Sequence, residues 1–255
     1  MSATVDLSAR TEFPPDPPDR FEDRLRRIGA LGYHHRHPFH VMMHEGQLNK
    51  RQLQGWIENR FYYQGMIPRK DAAILAKTND VSFRRAWITR ITDHDGVNGR
   101  EGGIRRWLRM AAAAGLDPEE VSAMRLVLPV TRFAVDAYLR LVEKSSLSAA
   151  VASSLTELFA PALMTQRVAA LEQCYTWLAP QALDYFKARI VEAPRDADFG
   201  LQYVLEHCIT RASQDEAASA LKEKCHILWS VLDAIYFAYV SPGFFPPFWQ
   251  DRNHE

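Results

Sequence analysis

The sequence of 255 residues is poor in cysteine and glycine, with 3 and 12 residues, and it carries no net charge. No CxxC pair occurs among Cys174, Cys208 and Cys225, so we expect reduced thiols, buried as small apolar side chains, in a cytoplasmic protein. Neither GxGxxG nor GxxxxGK[ST] occurs, which removes sequence support for dinucleotide or P-loop binding. Because 31 acidic side chains balance 31 basic ones, no general attraction to nucleic acid or to a membrane is expected.

Long hydrophobic runs are also missing. No stretch of about 18 consecutive apolar residues occurs, and the N-terminus, MSATVDLSARTEFPPDPPDR, is polar and rich in proline, so neither a membrane span nor a signal peptide is predicted. We expect residues 1–19 to form a disordered or loosely attached arm and residues 20–240 to form one catalytic helical domain. The aromatic and proline-rich tail, residues 241–255, is expected to pack over the body or a partner subunit.

Apolar residues recur at helical spacing in segments such as LQGWIENRFYYQGMI and HILWSVLDAIYFAY, whereas strand-like alternation is scarce. Glycine and proline separate these segments. The pattern predicts an all-α fold, a bundle of about seven helices. It includes a long helix near residues 49–77, bent at Pro68, and another near residues 213–240.

The stretch YHHRHPFHVMMH, residues 33–44, contains five histidines. His40 and His44 are four residues apart, the spacing at which two imidazoles on one helix face bind one metal ion. Leu48 stands where a second histidine of an HExxH motif would be required. Pro38 favours an extended His37 and the start of a new helix, so the histidines before and after it are expected to point in unrelated directions. Ordinary packing is the alternative to a metal site.

Charged and hydroxyl side chains stand at helical spacing among aromatics. One stripe of the predicted helix at 49–77 carries Arg60, Tyr63, Gln64, Ile67 and Asp71, with Lys70 beside it. Further pairs at helical or near-helical spacing are Arg90 with His94, Tyr185 with Arg189, and Glu157 with Arg167. Each pair alone is typical of weak surface contacts. Together they predict a shared polar cavity.

The predicted cavity is cationic. Its two acids are outnumbered by the basic side chains Arg60, Lys70, Arg90, Arg167, Arg189 and Lys224. Arginine binds a carboxylate through two parallel hydrogen bonds, so this composition favours a small polycarboxylic acid as ligand. His94 lies between Asp93 and Asp95, and we expect it to titrate near neutrality and to act as general acid and base. The alternative is a surface histidine in a helix-ending turn.

Several motifs in one order carry a resemblance: RFYYQGMIPRKDAAILA, RITDHDG followed by EGGIRRWL, RFAVDAYL, SSLTELFAP and APRDADFGL. Over residues 20–240 the chain resembles the pyrroloquinoline quinone synthase family (coenzyme PQQ synthesis protein C). The resemblance implies a haem-oxygenase-like helical bundle, a homodimer, and an enzyme without metal or organic cofactor. The implied reaction is the last step towards pyrroloquinoline quinone. It closes a ring and removes eight electrons from a bicyclic amino acid with several carboxylates, consuming O2 and releasing H2O2.

The resemblance also implies residue roles. His94 is the expected base, and the expected oxygen-side groups are Tyr185, Arg189 and Lys224. The expected partners of the substrate are His34, Arg60, Tyr63, Gln64, Lys70, Asp71, Arg90, Tyr138, Glu157 and Arg167. Among these, the cations would bind carboxylates, Tyr63, Gln64 and Tyr138 would orient the rings, and Glu157 would meet the amine. Met164 stands where some family members have histidine, and a thioether relays no proton.

Three other functions use similar features. A diiron oxidase of the same fold needs several inward carboxylate and histidine ligands, and the sequence offers one ExxH, Glu223 to His226. A thiamine-degrading hydrolase needs a cysteine nucleophile in the pocket. A carrier that binds the finished quinone would use the same carboxylate-binding groups, and it would differ from a synthase only by the lack of turnover.

Overall fold

A computed structural model describes residues 13–241 and residue 243, which form a helical body. In this part of the chain no strand occurs beyond an isolated bridge between Val97 and Arg100. The helices are α1 (Pro18–Gly32), α2 (Pro38–His44), α3 (Lys50–Leu75), α4 (Val81–Asp95), α5 (Gly103–Ala113), α6 (Pro118–Ser122), α7 (Pro129–Lys144), α8 (Leu147–Ser153), α9 (Ala160–Cys174), α10 (Asp184–His207) and α11 (Arg211–Tyr239). Short 3₁₀ turns lie at His34–Arg36, Ser154–Phe159 and Pro180–Leu183.

The all-α prediction is confirmed, with more helices than the seven expected. Three of the four additional helices are α2, α6 and α8, which are only 5 to 7 residues long and therefore too short to leave a clear periodic signal. Capping residues determine where the two longest helices, α3 and α11, begin. Asn49 and Gln52 exchange side-chain and backbone hydrogen bonds in a capping box before α3, and Thr210 and Ser213 do so before α11. Pro68 lies inside α3.

Helix α3 lies at the centre and packs against α4, α5, α7 and α11. Three tryptophans, Trp56, Trp87 and Trp107, are fully buried around it. The Trp107 indole donates to the carbonyl of Ile57 at 3.0 Å, and the Trp87 indole donates to Asp71 Oδ1 at 3.0 Å. Because the N–H groups of Trp87 and Trp107 have acceptors on α3, these two rings bury their area without an unsatisfied donor and fix α4 and α5 against α3.

The N-terminal boundary lies before the predicted residue 20. Helix α1 begins at Pro18, and the backbone N–H of Asp16 donates to Gln214 Oε1 at 2.7 Å. The Gln214 amide donates in return to the carbonyl of Asp16 at 2.8 Å. Part of the predicted arm is therefore attached to α11. The predictions for residues 1–12 and for the aromatic tail from residue 244 lie outside the described residues.

One stretch, Leu147–Cys174, is long and apolar enough by composition to cross a membrane, with a mean hydropathy of 1.4. In the fold it comprises α8, a 3₁₀ turn and α9, and 61% of its most apolar window is buried inside the protein. Core helices of globular proteins meet the same criterion, so the stretch is weak evidence for a span. The expectation of no membrane association stays a prediction.

The contact between α1 and the turn Ser154–Phe159 leaves no room for a side chain at Gly29. A Cβ there would lie 1.8 Å from Phe159 Cε2, so we expect Gly29→Ala to lower the free energy of unfolding by about 1–3 kcal/mol, the usual cost of overpacking. Urea unfolding measures this. The matched control is Gly200→Ala in α10, where the nearest atom, Leu155 Cδ2, lies 3.4 Å away and helix propensity favours alanine. Equal urea midpoints for the two variants would contradict the prediction.

Candidate active site

A cavity of about 60 Å³ lies between the turns at His34–Arg36 and Ser154–Phe159 and helices α3, α4, α9, α10 and α11. Seven of the fourteen predicted site residues line it: His34, Arg60, Tyr63, His94, Glu157, Tyr185 and Arg189. The volume has room for a few water molecules. A bicyclic substrate therefore requires the walls to move apart.

The other predicted residues lie behind this wall. Tyr185 donates from its hydroxyl to Gln64 Oε1 at 2.9 Å, and Lys224 donates to the Tyr63 hydroxyl at 2.7 Å. Tyr138 stacks on Tyr63 with ring centroids 6.3 Å apart. The remaining four, which also lie outside the lining, are Lys70, Asp71, Arg90 and Arg167. The polar stripe of α3 is thus joined to α7, α10 and α11 in one cluster.

His94 lies in the last turn of α4 and is 4% exposed, so the alternative of a surface histidine is wrong. Its Nδ1 lies 3.0 Å from the carbonyl of Arg90, which makes Nδ1 the protonated nitrogen and leaves the lone pair on Nε2. Burial first and Arg189 second lower the pKa of His94 to about 4. The expected titration near neutrality is therefore wrong. At pH 7 the ring is a neutral base whose Nε2 has no partner among the described residues.

Glu157 binds two arginines at once. Arg90 Nη2 donates to its Oε2 in a short hydrogen bond, and Arg189 Nη2 lies 3.3 Å from its Oε1. Asp196 completes the group, since it lies 3.4 Å from Arg189 and 3.9 Å from Arg90. Burial alone would raise the pKa of Asp196, but the two guanidinium groups hold it below the ordinary value. Both arginines thus have carboxylate partners, and Glu157 is engaged before any substrate amine arrives.

Asp71 neutralises a second part of the cluster. It is fully buried and accepts from Lys70 Nζ at 2.5 Å, while Arg90 Nε lies 3.5 Å from the same oxygen. Lys70 also donates to Ser154 Oγ at 3.2 Å. Lys70 and Arg90 were expected to be free to bind substrate carboxylates. In the structure both are already paired with acidic side chains.

Of the six cations predicted for the cavity, three have no carboxylate partner among the described residues, namely Arg60, Arg167 and Lys224. The Arg60 guanidinium stacks 3.8 Å from the Tyr63 ring centre, and that of Arg167 lies 5.2 Å from the Trp56 ring. Burial first, and then Arg60 and Lys70, lower the pKa of Lys224 well below its ordinary value. Arg60 and Arg167 are thus the unpaired guanidinium groups of the cluster, and a guanidinium can bind a carboxylate through two hydrogen bonds.

The buried phenols are hydrogen-bond donors. Burial raises the pKa of Tyr185, and it raises the pKa of Tyr63 well above the ordinary value. Both hydroxyls therefore stay protonated at neutral pH. Tyr185 lies beside His94 and Arg189, but its one proton is donated to Gln64 Oε1, so it reaches an oxygen that acquires negative charge only when that hydrogen bond is exchanged.

The histidine run divides as Pro38 predicts. His37 is extended and lies 3.0 Å from Asp233 Oδ1, His34 lines the cavity, and His40 lies behind His34 with ring centroids 4.7 Å apart. In the part of the chain that the structure describes, no group of three or more histidine, cysteine or carboxylate side chains is placed to hold a metal ion. The metal interpretation of this stretch gains no geometric support.

The cysteines and the ExxH pair lie away from the cavity. Cys208 and Cys225 are buried as expected, whereas Cys174 is exposed, which corrects the expectation for that residue. None of the three lines the cavity. Glu223 and His226 are exposed on the outer face of α11, so this motif does not face inward.

Sequence reasoning missed part of the wall. The lining residues that it did not single out are Tyr33, Thr156, Ala160 and Leu228, and the unpredicted buried acid is Asp196. Helical spacing could have indicated two of these residues, because Leu228 follows Lys224 by one helical turn and Asp196 follows Arg189 by two. Met164, the noted departure from the family pattern, lines the cavity as well.

Comparisons with known proteins identify the family of the chain and structures with a similar fold. Residues 22–234 match the family described as TENA/THI-4/PQQC. A pyrroloquinoline-quinone synthase of Rhizobium meliloti (strain 1021) is 53% identical over 234 residues, 91% of each chain. One of Xanthomonas campestris pv. campestris (strain 8004) is 54% identical over 226 residues, 89% of this chain and 90% of the relative. A solved heme oxygenase-like domain from Shewanella denitrificans, 15% identical, gives a TM-score of 0.68 over 93% of this chain and 94% of its own, which confirms the predicted fold.

Proposed function

The chain belongs to the TENA/THI-4/PQQC family, and on that premise we propose that it is an oxidoreductase that forms pyrroloquinoline quinone. The reaction closes a ring and removes eight electrons from a bicyclic amino-acid precursor, with O2 as acceptor and H2O2 as product. Relatives more than 50% identical over about nine-tenths of both chains bear the name of this synthase. Three motifs of the resemblance contribute residues to the cavity wall, namely RFYYQGMIPRKDAAILA, RITDHDG and SSLTELFAP.

The observation that carries the proposal is the state of His94. It presents an unprotonated Nε2 to the cavity, with Tyr185 and Arg189 in the same wall. A base of this kind removes a proton from a ring carbon when it lies within hydrogen-bond reach of that proton. The adjacent phenol and guanidinium then stabilise negative charge on oxygen species.

The precursor's carboxylates bind to the arginines of the cluster that have no carboxylate partner among the described residues. Arg60 lies in the wall, and Arg167 lies immediately behind it. Arg90, Arg189 and Lys70, which are paired with acids, hold the cavity's shape and supply an oriented positive field. The cations of the cluster that carry these roles are thus two that bind the ligand, Arg60 and Arg167, and three that are paired with acids, Lys70, Arg90 and Arg189.

We propose that no metal or organic cofactor takes part, since a quinol-like substrate is itself electron-rich enough to reduce O2. The side chains of the cavity wall support a reaction without metal. Glu157 is the carboxylate of the cavity wall and is held by two arginines, and Met164 and Arg189 are poor iron ligands. The exposed Glu223 and His226 also count against the diiron alternative. The absence of a cysteine from the wall counts against a thiamine-degrading hydrolase.

Turnover separates the synthase from the diiron oxidase and from a quinone carrier. Chelator-treated protein given the bicyclic precursor in air is expected to form quinone and peroxide together, followed by quinone absorbance and a peroxide assay. The same sample without oxygen should accumulate neither. Activity restored only by added iron would establish the diiron alternative, and binding without turnover in air would establish the carrier.

We propose further that the protein is a cytoplasmic homodimer whose ligands are a small polycarboxylate precursor, O2 and the quinone. The family resemblance supports the dimer. The balance of 31 basic and 31 acidic side chains supports the expectation that neither nucleic acid nor a membrane is a partner.

A further inference from the structure

Arg195 on α10 joins two buried carboxylates that belong to different helices. Its Nη2 lies 2.6 Å from Oδ2 of Asp93, near the end of α4, and 2.6 Å from Oδ1 of Asp196. Its Nε donates to the same Asp196 oxygen at 3.1 Å. The two carboxylate side chains are 4% exposed, whereas that of Arg195 is 49% exposed. Because the N–H groups of a guanidinium point in fixed directions within one plane, this one cation sets the position of one acid relative to the other.

Each of the two acids adjoins a group of the cavity wall. Asp93 immediately precedes His94 in the last turn of α4, and Asp196 Oδ2 lies 3.4 Å from Arg189 Nη1. His94 and Arg189 both line the cavity. The ion pairs of Arg195 therefore connect the turn that carries the expected base to the helix that carries two of the expected oxygen-side groups.

Aromatic packing holds α4 and α10 together at the other end of their contact. Phe83, in the first turn of α4, packs against Phe199 and Tyr203 of α10, with ring centroids 5.6 and 4.9 Å away. His94 lies about three helical turns further along α4. The direction of its side chain therefore depends on contacts near the end of α4, and Arg195 supplies one of these.

Loss of Arg195 would leave neither acid without a cation. Arg100 Nη2 lies 3.3 Å from Asp93 Oδ1, and Asp196 keeps its contact with Arg189. Water can also enter the space of the guanidinium, because the Arg195 side chain is half exposed. Ion pairs open to water contribute little to stability. The distinct contribution of Arg195 is therefore the direction in which it holds the two carboxylates.

We propose that Arg195 is a positioning residue: by holding Asp93 and Asp196 at a fixed separation, it aligns the base on α4 with the oxygen-side groups on α10. This inference rests on the proposed function for the reaction in which the alignment is used. Proton removal requires a base within hydrogen-bond reach of the proton, and a misplacement of about 1 Å can lower a rate by about 10²-fold. Arg195 acts through the two acids, since it does not itself line the cavity.

Arg195→Met tests the inference, because methionine keeps an unbranched stem and removes every donor. We expect kcat for quinone formation at saturating precursor to fall roughly 10–100-fold. KM should stay within about 3-fold of the wild type, because Arg60 and Arg167 are unchanged. The Tm should fall by less than about 4 °C. An unchanged kcat, a higher KM at unchanged kcat, or a variant that does not fold at the assay temperature would overturn the inference.

Two variants of Asp93 separate its hydrogen bond from its charge. Asp93→Asn keeps an oxygen that can accept from Arg195, so its kcat should stay within about 3-fold of the wild type. Asp93→Ala removes the acceptor and should lose kcat to the same extent as Arg195→Met. In the double variant Arg195→Met with Asp93→Ala the two losses should not add, because both break the same bridge. Equal kcat values for the two Asp93 variants, or fully additive losses, would contradict the positioning role.

Arg100→Gln is the matched control. Arg100 binds the other oxygen of the same Asp93 carboxylate, but it does so from the loop between α4 and α5. This variant should retain wild-type kcat. A loss as large as that of Arg195→Met would show that the charge around Asp93 matters and the bridge to α10 does not.

Turnover by the wild type separates this question from the larger one. A wild-type protein that forms neither quinone nor peroxide from the precursor would contradict the proposed function. Wild-type turnover together with an unchanged kcat in Arg195→Met would contradict only the role given to Arg195.

Discussion

Replacing His94 with alanine is expected to lower kcat by about 10²–10⁴-fold, the usual contribution of a positioned general base. The Nε2 lone pair faces the cavity because Nδ1–H donates to the carbonyl of Arg90. His94→Asn can keep a donor near the position of Nδ1 but supplies no base, so it should lose as much activity as the alanine variant. Quinone formation under saturating precursor measures the effect.

The pH dependence of the wild type checks the same assignment. The base form of His94 exists above its pKa, which burial and Arg189 lower to about 4. The ratio kcat/KM depends on the protonation state of the free enzyme. It should therefore fall as the pH drops through about 4, and the titration of His94 should cause no fall in kcat/KM near pH 6.5. An acid limb near 6.5 that disappears in His94→Asn would contradict the lowered pKa.

His207 provides the matched control. It is another histidine whose Nδ1 lies close to a carbonyl four residues earlier, at 2.8 Å from Tyr203, but it is exposed near the end of α10. His207→Ala should therefore retain wild-type kcat and KM. A comparable loss of turnover in both alanine variants would show that His94 has no special role in the chemistry.

Replacing Glu157 with glutamine is expected to destabilise the fold strongly, because it leaves Arg90 and Arg189 short of one buried counter-charge. Removal of one partner of a buried ion pair costs about 3–5 kcal/mol. The Glu157 side chain is 20% exposed, so we expect the lower end of this range. For a chain of this size that corresponds to a fall in Tm of roughly 6–12 °C, measurable by thermal unfolding.

An exposed ion pair supplies the comparison for Glu157. Glu172 pairs with Lys187 at 3.0 Å, and the two side chains are 52% and 48% exposed. Glu172→Gln should change the stability by less than roughly 1 kcal/mol, since exposed pairs contribute little. If Glu157→Gln changed Tm no more than Glu172→Gln, the two arginines would not depend on that carboxylate.

Periodicity located the site because it places residues on one face of a helix. The stripe from Arg60 to Asp71 on α3 could be read in this way, and so could the pair Tyr185 and Arg189 on α10. Contacts between residues on different helices could not be predicted from periodicity. Arg90 and Asp196 are 106 positions apart, and their approach depends on how α4 packs against α10.

The prediction that His94 titrates near neutrality was wrong for a related reason. The sequence shows Asp93 and Asp95 beside it, and adjacent carboxylates suggest a raised or ordinary pKa. In the structure Asp93 binds Arg195 at 2.6 Å, and Asp95 is exposed. After burial, the largest influence on the pKa of the ring comes from Arg189, on another helix. Sequence neighbours of a residue near a helix end commonly point away from its side chain.

The small volume of the cavity, about 60 Å³, also determines what an affinity measurement on this protein reports. A ligand larger than the cavity binds only the fraction of molecules whose walls have parted, so the observed Kd equals the intrinsic Kd divided by that fraction. A substitution that favours the open form therefore tightens binding without touching the ligand. Competing ligands are ranked by how well they fit the widened cavity, whose shape differs from that of the resting protein.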